Sequence, residues 1–350
     1  MWAVRNDDLA IETITLFAFV FTAGAKRGTS GRLQMIRFAT IRVVEIGAML
    51  VLMSFVIYGL IGLMPGDPID LMRSADPRTS AADIARLKAV YGLDRPLVDR
   101  YLAWAGTALS GDLGYSRLFS EPVLATVLPR LVNSLLLMGT SFMLAFLLAL
   151  ALGIAAARRP GSWLDATVNF LAFAGISIPS FWLALLLILL FAVELGWLPA
   201  SGISTAGGGI GDRLRHLILP VATLTLANLG PYTRFVRAAM RDALARDHIR
   251  TARAKGASEI RVVVHHALRS ALIPLVTILA LSWGGLVSGA LVTETMFSYP
   301  GMGKLIFDAV MGNDYNLALA TLLLATAVTM GANLAADLAY AWLDPRVSYR

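Results

Sequence analysis

Asp247-His-Ile-Arg-Thr-Ala-Arg-Ala-Lys-Gly256-Ala-Ser-Glu-Ile-Arg-Val-Val-Val-His-His-Ala-Leu-Arg269 is a basic, helix-prone stretch set between two strongly apolar segments. A chain that only had to cross a bilayer has no need of it. A chain that a soluble partner grips and moves does. Upstream, good helix formers fill Arg237–Lys255, among them Ala238, Ala239, Met240, Ala243, Leu244 and Ala245. Gly256 breaks that helix, and Ser258 stands where it can cap a second one over Glu259–Leu268. Two short helices meeting at a glycine make a compact knob, and the small Ala252, Ala254 and Gly256 let a partner surface come close. The bland alternative is a positively charged loop. Such a loop needs neither a length of roughly thirty residues nor a helix pair centred on glycine.

The apolar neighbours set the class. Of 350 residues, 57% are hydrophobic and 15% charged, against about 45–50% and about 25% in ordinary globular chains. The excess lies in long runs, so the chain reads as an all-α polytopic membrane protein and not a soluble enzyme. Six runs are long enough to span: Ile41–Leu63, Leu131–Ala157, Asp165–Leu195, Leu217–Val236, Ala271–Thr293 and Leu317–Trp342. The third exceeds the roughly 20 residues a span needs and contains Pro179, so it is tilted, kinked there or preceded by an interfacial turn. Leu9–Ala25 is shorter and contains Glu12. It reads as a marginal seventh segment, an interfacial helix or an over-long start.

The net charge of +7 does not point to nucleic acid, because the basic residues cluster between apolar runs. Arg32, Arg37 and Arg42 flank the first run, and Arg158 and Arg159 follow the second. Arg234, Arg237, Arg241, Arg246, Arg250, Arg253, Lys255, Arg261 and Arg269 surround the fourth-to-fifth connection, against Asp242, Asp247 and Glu259. With alternating spans these all fall on one side. The positive-inside rule makes that side and both termini cytoplasmic. The large segment 64–130 falls on the other, exported side, where the charges balance. In it Ser80-Ala-Ala-Asp83 opens one helix, and Val98–Leu109 forms a second with Tyr101, Leu102 and Ala105 on one side. Gly111-Asp-Leu-Gly114 makes a turn.

Energy chemistry is missing from the chain itself. No cysteine is present, so no disulfide, thiolate or cysteine-based metal site exists. No Gly-x4-Gly-Lys-[Ser/Thr] occurs, and Gly303-Lys304 runs into Leu305, which has no hydroxyl for Mg²⁺. His265 and His266 point about 100° apart on a helix and make no metal pair. Glu45, Asp337 and Asn333 lie near span ends. They read as helix-end partners of the nearby arginines or, alternatively, as part of an ion relay. Pro179, with Ser177, Ser180 and Trp182 around it, marks either a simple kink or a lining of a translocation path. Gly285-x3-Gly289 is a close-packing motif, within the chain or toward a second membrane subunit.

These motifs resemble a known family. Membrane subunits of bacterial ABC importers carry a cytoplasmic Glu-Ala-Ala, three residues, Gly, nine residues, Ile-x-Leu-Pro pattern. Aligned on Gly256, this chain matches it at Ala252, Gly256 and Leu268 and departs at Arg250, Thr251, His266 and Arg269. The fuller Asp-x-Ile-Arg-Thr-Ala-Arg-Ala-Lys-Gly followed by His-Ala-Leu-Arg resembles the dipeptide/oligopeptide/nickel permease branch. So do Pro65-Gly-Asp-Pro68, Tyr91-Gly-Leu-Asp-x-Pro96, Gly111-Asp-Leu-Gly114, Thr293-Glu-Thr-Met-Phe-Ser-Tyr-Pro-Gly-Met-Gly303 and Asp344-Pro-Arg346. The long exported segment is similar to that of the B-type subunit. The likeness covers residues 35–350 and leaves 1–34 as an extension.

The resemblance implies an ABC type I importer permease in the inner membrane that hydrolyses nothing itself. It implies a second permease subunit, two cytoplasmic ATPase subunits that bind ATP and Mg²⁺, and an extracytoplasmic solute-binding protein, with no cofactor in this chain and no nucleic acid. The coupling segment is then 237–269. Its ATPase-contacting residues are Arg250, Thr251, Ala252, Arg253, Ala254, Lys255, Gly256, His266 and Leu268. The implied cargo is a di- or oligopeptide or a related small solute such as glutathione or a nickel chelate. The rivals are a stand-alone secondary transporter and a membrane scaffold without transport.

Overall fold

The computed structural model describes residues 29–62, 95–205, 207–272, 274–275 and 290–343. The expected segments Leu9–Ala25, Ser80–Asp83 and Gly285–Gly289, and most of the fifth run, lie outside these residues. The chain is built from helices. α1 is Thr29–Gly62, α2 Leu97–Leu109 and α3 Val123–Arg158. α4 is Trp163–Ser177, and α5 is Ser180–Leu187, which continues as a π-helical stretch Ile188–Glu194. α6 is Ile210–Leu244, α7 Asp247–Ala254, and α8 opens at Glu259–Arg261 and runs into a π-helical stretch Val262–Ala267. α9 is Leu291–Met296, α10 Met302–Met311 and α11 Tyr315–Leu343. A two-residue antiparallel ladder, β1 Tyr115–Ser116 with β2 Glu121–Pro122, is the only sheet among the described residues.

Among the described residues, three helices are long and apolar enough to cross a bilayer: Ala39–Gly62, Val123–Arg158 and Tyr315–Ala335. The third apolar run is α4 and α5, bent by 100° at Ile178–Pro179. The break falls at the expected Pro179. Proline cannot donate to the helix ladder and its ring disfavours a helical Ile178, which sits at φ −87°, ψ 120°. The fourth run lies inside α6, whose 35 residues reach about 52 Å. His216 precedes the run, and Thr223, Thr225 and Asn228 lie within it. Their side chains bond to carbonyls: Thr223 to Leu219 at 2.9 Å, Asn228 to Leu224 at 2.8 Å, and Thr225 across to Ser141 of α3 at 3.3 Å. Polar groups so satisfied can sit among apolar neighbours at little cost.

The pairing of α3 with α6 is the spine. Ser141, Ala145, Ala149, Gly153 and Ala157 recur every fourth residue along α3, and all are buried. Such a small-residue stripe lets two helix backbones approach closely. A Cβ on Gly153 would come within 2.6 Å of Val236 Cγ1 and 3.0 Å of the Arg237 nitrogen. Where α3 offers Phe142, Tyr232 of α6 meets it edge to face at 5.8 Å between centroids.

Each end of α3 is rooted in its own core. At its start Val123 and Val127 pack with Met302, Leu305, Ala309 and Leu317. At its finish Ala157 packs with Val236, Met240, Ile249, Val262 and Ala267. The thirty residues from Val127 to Ala157 put these cores about 45 Å apart. The first end is stitched by buried carboxylates. Asp314 accepts from Ser116 Oγ at 2.7 Å, the Leu118 nitrogen at 2.9 Å and the Leu317 nitrogen at 3.2 Å, fixing the β1–β2 turn to the start of α11. Glu294, fully buried, accepts from Ser134 Oγ at 2.5 Å and the Lys304 nitrogen at 3.0 Å, tying α9 to α3 and to the first turn of α10.

α1 packs on α11, and Arg42 reaches Glu45 at 3.2 Å and Asp337 at 3.4 Å. Pairing with a nearby arginine, as expected of acids near span ends, is the contact both of these acids make. α1 runs without interruption across the 34/35 boundary at which the family resemblance begins. The expected inner face of α2 needs one correction. Tyr101 and Ala105 face inward, but Leu102 is 60% exposed and Trp104 takes its place. Tyr101 sits 5.2 Å from Phe55 and 5.8 Å from Tyr58 of α1, with its hydroxyl 2.7 Å from Ser54 Oγ. Trp104, three residues on, shares that face.

Candidate functional site

The knob forms as two helices at a glycine, with its first helix shorter than expected. Arg237–Leu244 belongs to α6, and the chain breaks at Ala245–Arg246 before α7 begins. Packing explains the break. Val236, Met240 and Ala243 share one face of α6 and are buried. On a continuous helix Ile249, six residues past Ala243, would point about 120° away from it. Extended backbone at Arg246 (φ −72°, ψ 150°) re-aims the chain so that Ile249 is fully buried in the same core.

Gly256 ends α7 as the pattern requires. Its φ is +80°, a region L-residues with a Cβ enter at a cost of about 1 kcal/mol. The Gly256 nitrogen donates to the Arg253 carbonyl at 2.9 Å and the Ala257 nitrogen to the Ala252 carbonyl at 3.1 Å. This pair of bonds is the Schellman arrangement that satisfies a helix's last carbonyls. A Cβ at Gly256 would meet nothing within 4 Å. The glycine is therefore demanded by backbone conformation, and the space before it is open.

Ser258 occupies the N-cap position of α8, but its side chain makes no capping bond. The corner is held instead by Arg253, which donates to both oxygens of Glu259, at 2.8 and 3.2 Å. These hydrogen bonds hold the Glu259 carboxyl below its ordinary range. The π-helical stretch then buries Val262, Val263 and Ala267 together and turns His265 outward. A wider turn places residues five apart on one face.

The predicted coupling residues come together on this knob. Ala252 is buried, Leu268 packs on the core and His266 is half-buried. Arg250, Thr251, Ala254 and Lys255 are exposed. Arg250 lies 3.8 Å from Asp247 with both side chains largely in water, a contact of little energetic weight. Between α7 and α8 runs a groove of about 480 Å³ lined by His248, Thr251, Ala252, Lys255, Gly256, Ala257, Arg261 and His266.

The second group, Ser177, Pro179, Ser180 and Trp182, gathers at the α4–α5 elbow. Ser177 donates its hydroxyl to the Phe173 carbonyl at 3.0 Å, Pro179 is the residue before α5, and Trp182 is 47% exposed. The helix that leads into this elbow is tied to α6 by a contact not expected from the sequence. Asp165, near the start of α4, receives both Arg237 Nε (2.5 Å) and Arg237 Nη2 (2.7 Å). It also accepts from the Gly161 nitrogen at 2.9 Å and Asn169 Nδ2 at 3.0 Å, while Ser162 caps the Asp165 nitrogen at 3.2 Å. Ser162-x-x-Asp165 has the form of a capping box, a signal that was present in the sequence. Further along α4, Gly230 of α6 lies against the Ala172 backbone, and Arg234 stacks over Phe173 with 4.4 Å to the ring centroid.

Apolar helices around a close-packed pair, with a folded basic knob at one end and a broken helix tied to α6 beside it, define an all-α polytopic membrane protein. The chain belongs to the family of binding-protein-dependent transport system inner membrane components, which it matches over residues 149–349, a region that takes in the elbow, α6 and the knob. The oligopeptide transport system permease protein AppB of Bacillus subtilis is 40% identical, over 85% of this chain and 94% of that protein. The di/tripeptide transport system permease protein DppB of Pseudomonas aeruginosa is 38% identical, over 84% and 93%. The glutathione transport system permease protein GsiC of Escherichia coli K12 is 37% identical, over 90% and 100%. A chain of the MetNI methionine ABC transporter, solved in inward-facing conformations, shares the fold with a TM-score of 0.54 at 20% identity, over 64% of this chain and 99% of that one.

Proposed function

We propose that this permease imports short peptides or peptide-like solutes across the inner membrane, driven by ATP that partner subunits hydrolyse. Di- and oligopeptide and glutathione permeases stand at similar identity to it, and glutathione is itself a tripeptide, so the shared chemistry is a small zwitterionic amide. A solute-binding protein delivers the cargo on the side of β1, β2 and α10. A second permease completes the pathway, and two ATPase subunits bind ATP and Mg²⁺ and drive it from the knob side. Both termini lie on that cytoplasmic side. Arg250, Thr251, Ala252, Arg253, Ala254, Lys255, Gly256, His266 and Leu268 form the ATPase-contacting element, and Ser177, Pro179, Ser180 and Trp182 border the moving elbow.

The observation that carries this reading is the construction of the knob. It is a rigid, Gly256-cornered helix pair whose core continues into α3 and α6. A push on it therefore moves the spans as a body, one of the recognised modes of switching. The test is reconstitution of the chain with its second permease and ATPase subunits in proteoliposomes containing the binding protein. Uptake of a labelled dipeptide that requires ATP and all four components is the expected result. Uptake by this chain alone, driven by an ion gradient, would overturn it.

A further inference from the structure

We propose that the groove between α7 and α8 seats a carboxylate-bearing loop or helix end of the ATPase subunit, so that docking is set by charge as well as shape. The inference deepens the reading of the knob as the ATPase-contacting element and rests on it.

The groove offers donors and no acid. Its polar lining is His248, Thr251, Lys255, Arg261 and His266. Neither of the knob's own acids lines the groove: Glu259 accepts from two nitrogens of Arg253, and Asp247 lies on the exposed face beside Arg250. Among the described residues, Lys255 and Arg261 have no acidic partner. From Arg246 to Arg269 six Arg and Lys residues face two acids, and two of the six, Lys255 and Arg261, line the groove. The floor is small, with Ala252, Gly256 and Ala257, and nothing stands within 4 Å of the place a Gly256 side chain would fill. The walls are fixed. Ile249 and Val262 are fully buried beneath them, and His248 Nε2 lies 3.3 Å from Ser270 Oγ across the pair. A preformed cationic concavity of this kind favours an anionic insert and raises its rate of encounter. Anionic lipid headgroups share that chemistry. The lining holds no Trp, Phe or large aliphatic residue of the kind an interfacial helix buries among acyl chains.

The test uses the complex recovered from native membranes with the tagged chain, moved into nanodiscs, with its co-purified ATPase subunits released and rebound. Lys255→Glu with Arg261→Glu is expected to weaken rebinding by about tenfold or more, as loss of close interfacial charge pairs does, and to flatten its dependence on KCl. Arg241→Glu with Arg246→Glu, an equal charge change outside the groove, is expected to stay within about twofold. Equal effects of the two reversals, or rebinding indifferent to salt, would overturn the groove assignment while leaving the knob as the docking element. Failure of the unaltered chain to bind ATPase subunits at all would instead remove the underlying reading. Loss of the Lys255/Arg261 effect in nanodiscs lacking anionic lipid would assign the groove to lipid and contradict the proposal.

Discussion

Arg237 holds Asp165 with two parallel hydrogen bonds, at 2.5 and 2.7 Å, across 72 residues of sequence. The Asp165 side chain is 6% exposed and that of Arg237 20%. Arg237 directly follows Val236 of the knob core, and Asp165 opens the helix that ends at the elbow. The pair therefore braces the start of the broken span against α6 at the base of the knob.

Removing one partner of such a pair strands the other. Asp165→Leu is expected to destabilise by about 3–5 kcal/mol, because it leaves a largely buried guanidinium uncompensated. Combining it with Arg237→Met should recover most of the loss. Thermal unfolding of the detergent-solubilised chain checks both, and additive losses would mean that the pair is not a unit.

Two glycines in long helices are expected to respond oppositely to alanine. At Gly230 a Cβ would run into the Ala172 carbonyl of α4, so Gly230→Ala should cost about 1–3 kcal/mol through forced separation of the helices. At Gly139 nothing lies within 4 Å, and Gly139→Ala should be neutral or stabilising by up to about 1 kcal/mol. Unfolding midpoints of the two variants provide the comparison.

Glu294 organises the end of the molecule away from the knob. Glu294→Ala would leave the Ser134 hydroxyl and the Lys304 nitrogen without their buried acceptor, at about 1–3 kcal/mol for each group. Glu294→Gln keeps one acceptor oxygen and should lose less. Faster proteolysis between α9 and α10 in the alanine variant, with the knob still protected, is the expected readout.

The knob corner should loosen in acid. Glu259 has its pKa lowered by the hydrogen bonds from Arg253, so the folded corner binds a proton less readily than the open one. Its contribution is fully present above the ordinary carboxylate pKa of about 4.3 and is lost as pH falls through the lower folded value. Amide exchange at Gly256 and Ala257, corrected for intrinsic rates, should rise over that interval in the unaltered chain. The increment should vanish in Glu259→Gln.

The sequence made the knob legible because its determinants are local. A left-handed corner demands glycine at 256, and charge density marks the segment. It could not show where α6 ends, since apolar runs report the membrane-embedded part of a helix while polar turns such as Arg237–Leu244 carry the same helix onward. The Asp165–Arg237 brace was illegible for a different reason: nothing local distinguishes a partnered arginine from its eight basic neighbours around the fourth-to-fifth connection. The stripe Ser141, Ala145, Ala149, Gly153, Ala157 lay in plain view at a spacing of four. Leu102 misled because Tyr101 and Trp104, three residues apart, outcompeted it for the aromatic face of α1.

Gly256 is the most direct point at which to test the account, because its side-chain position is open space and its backbone is held at a left-handed φ. The measurement is co-purification of the tagged chain from native membranes, with and without Gly256→Val, followed by ATP hydrolysis of what is recovered. The unaltered chain is expected to bring a second permease and ATPase subunits whose hydrolysis responds to binding protein. The variant should insert normally, keep the second permease, and lose the ATPase subunits or their response. A variant that retains both, with unchanged transport, would contradict the assignment of this corner as the coupling element.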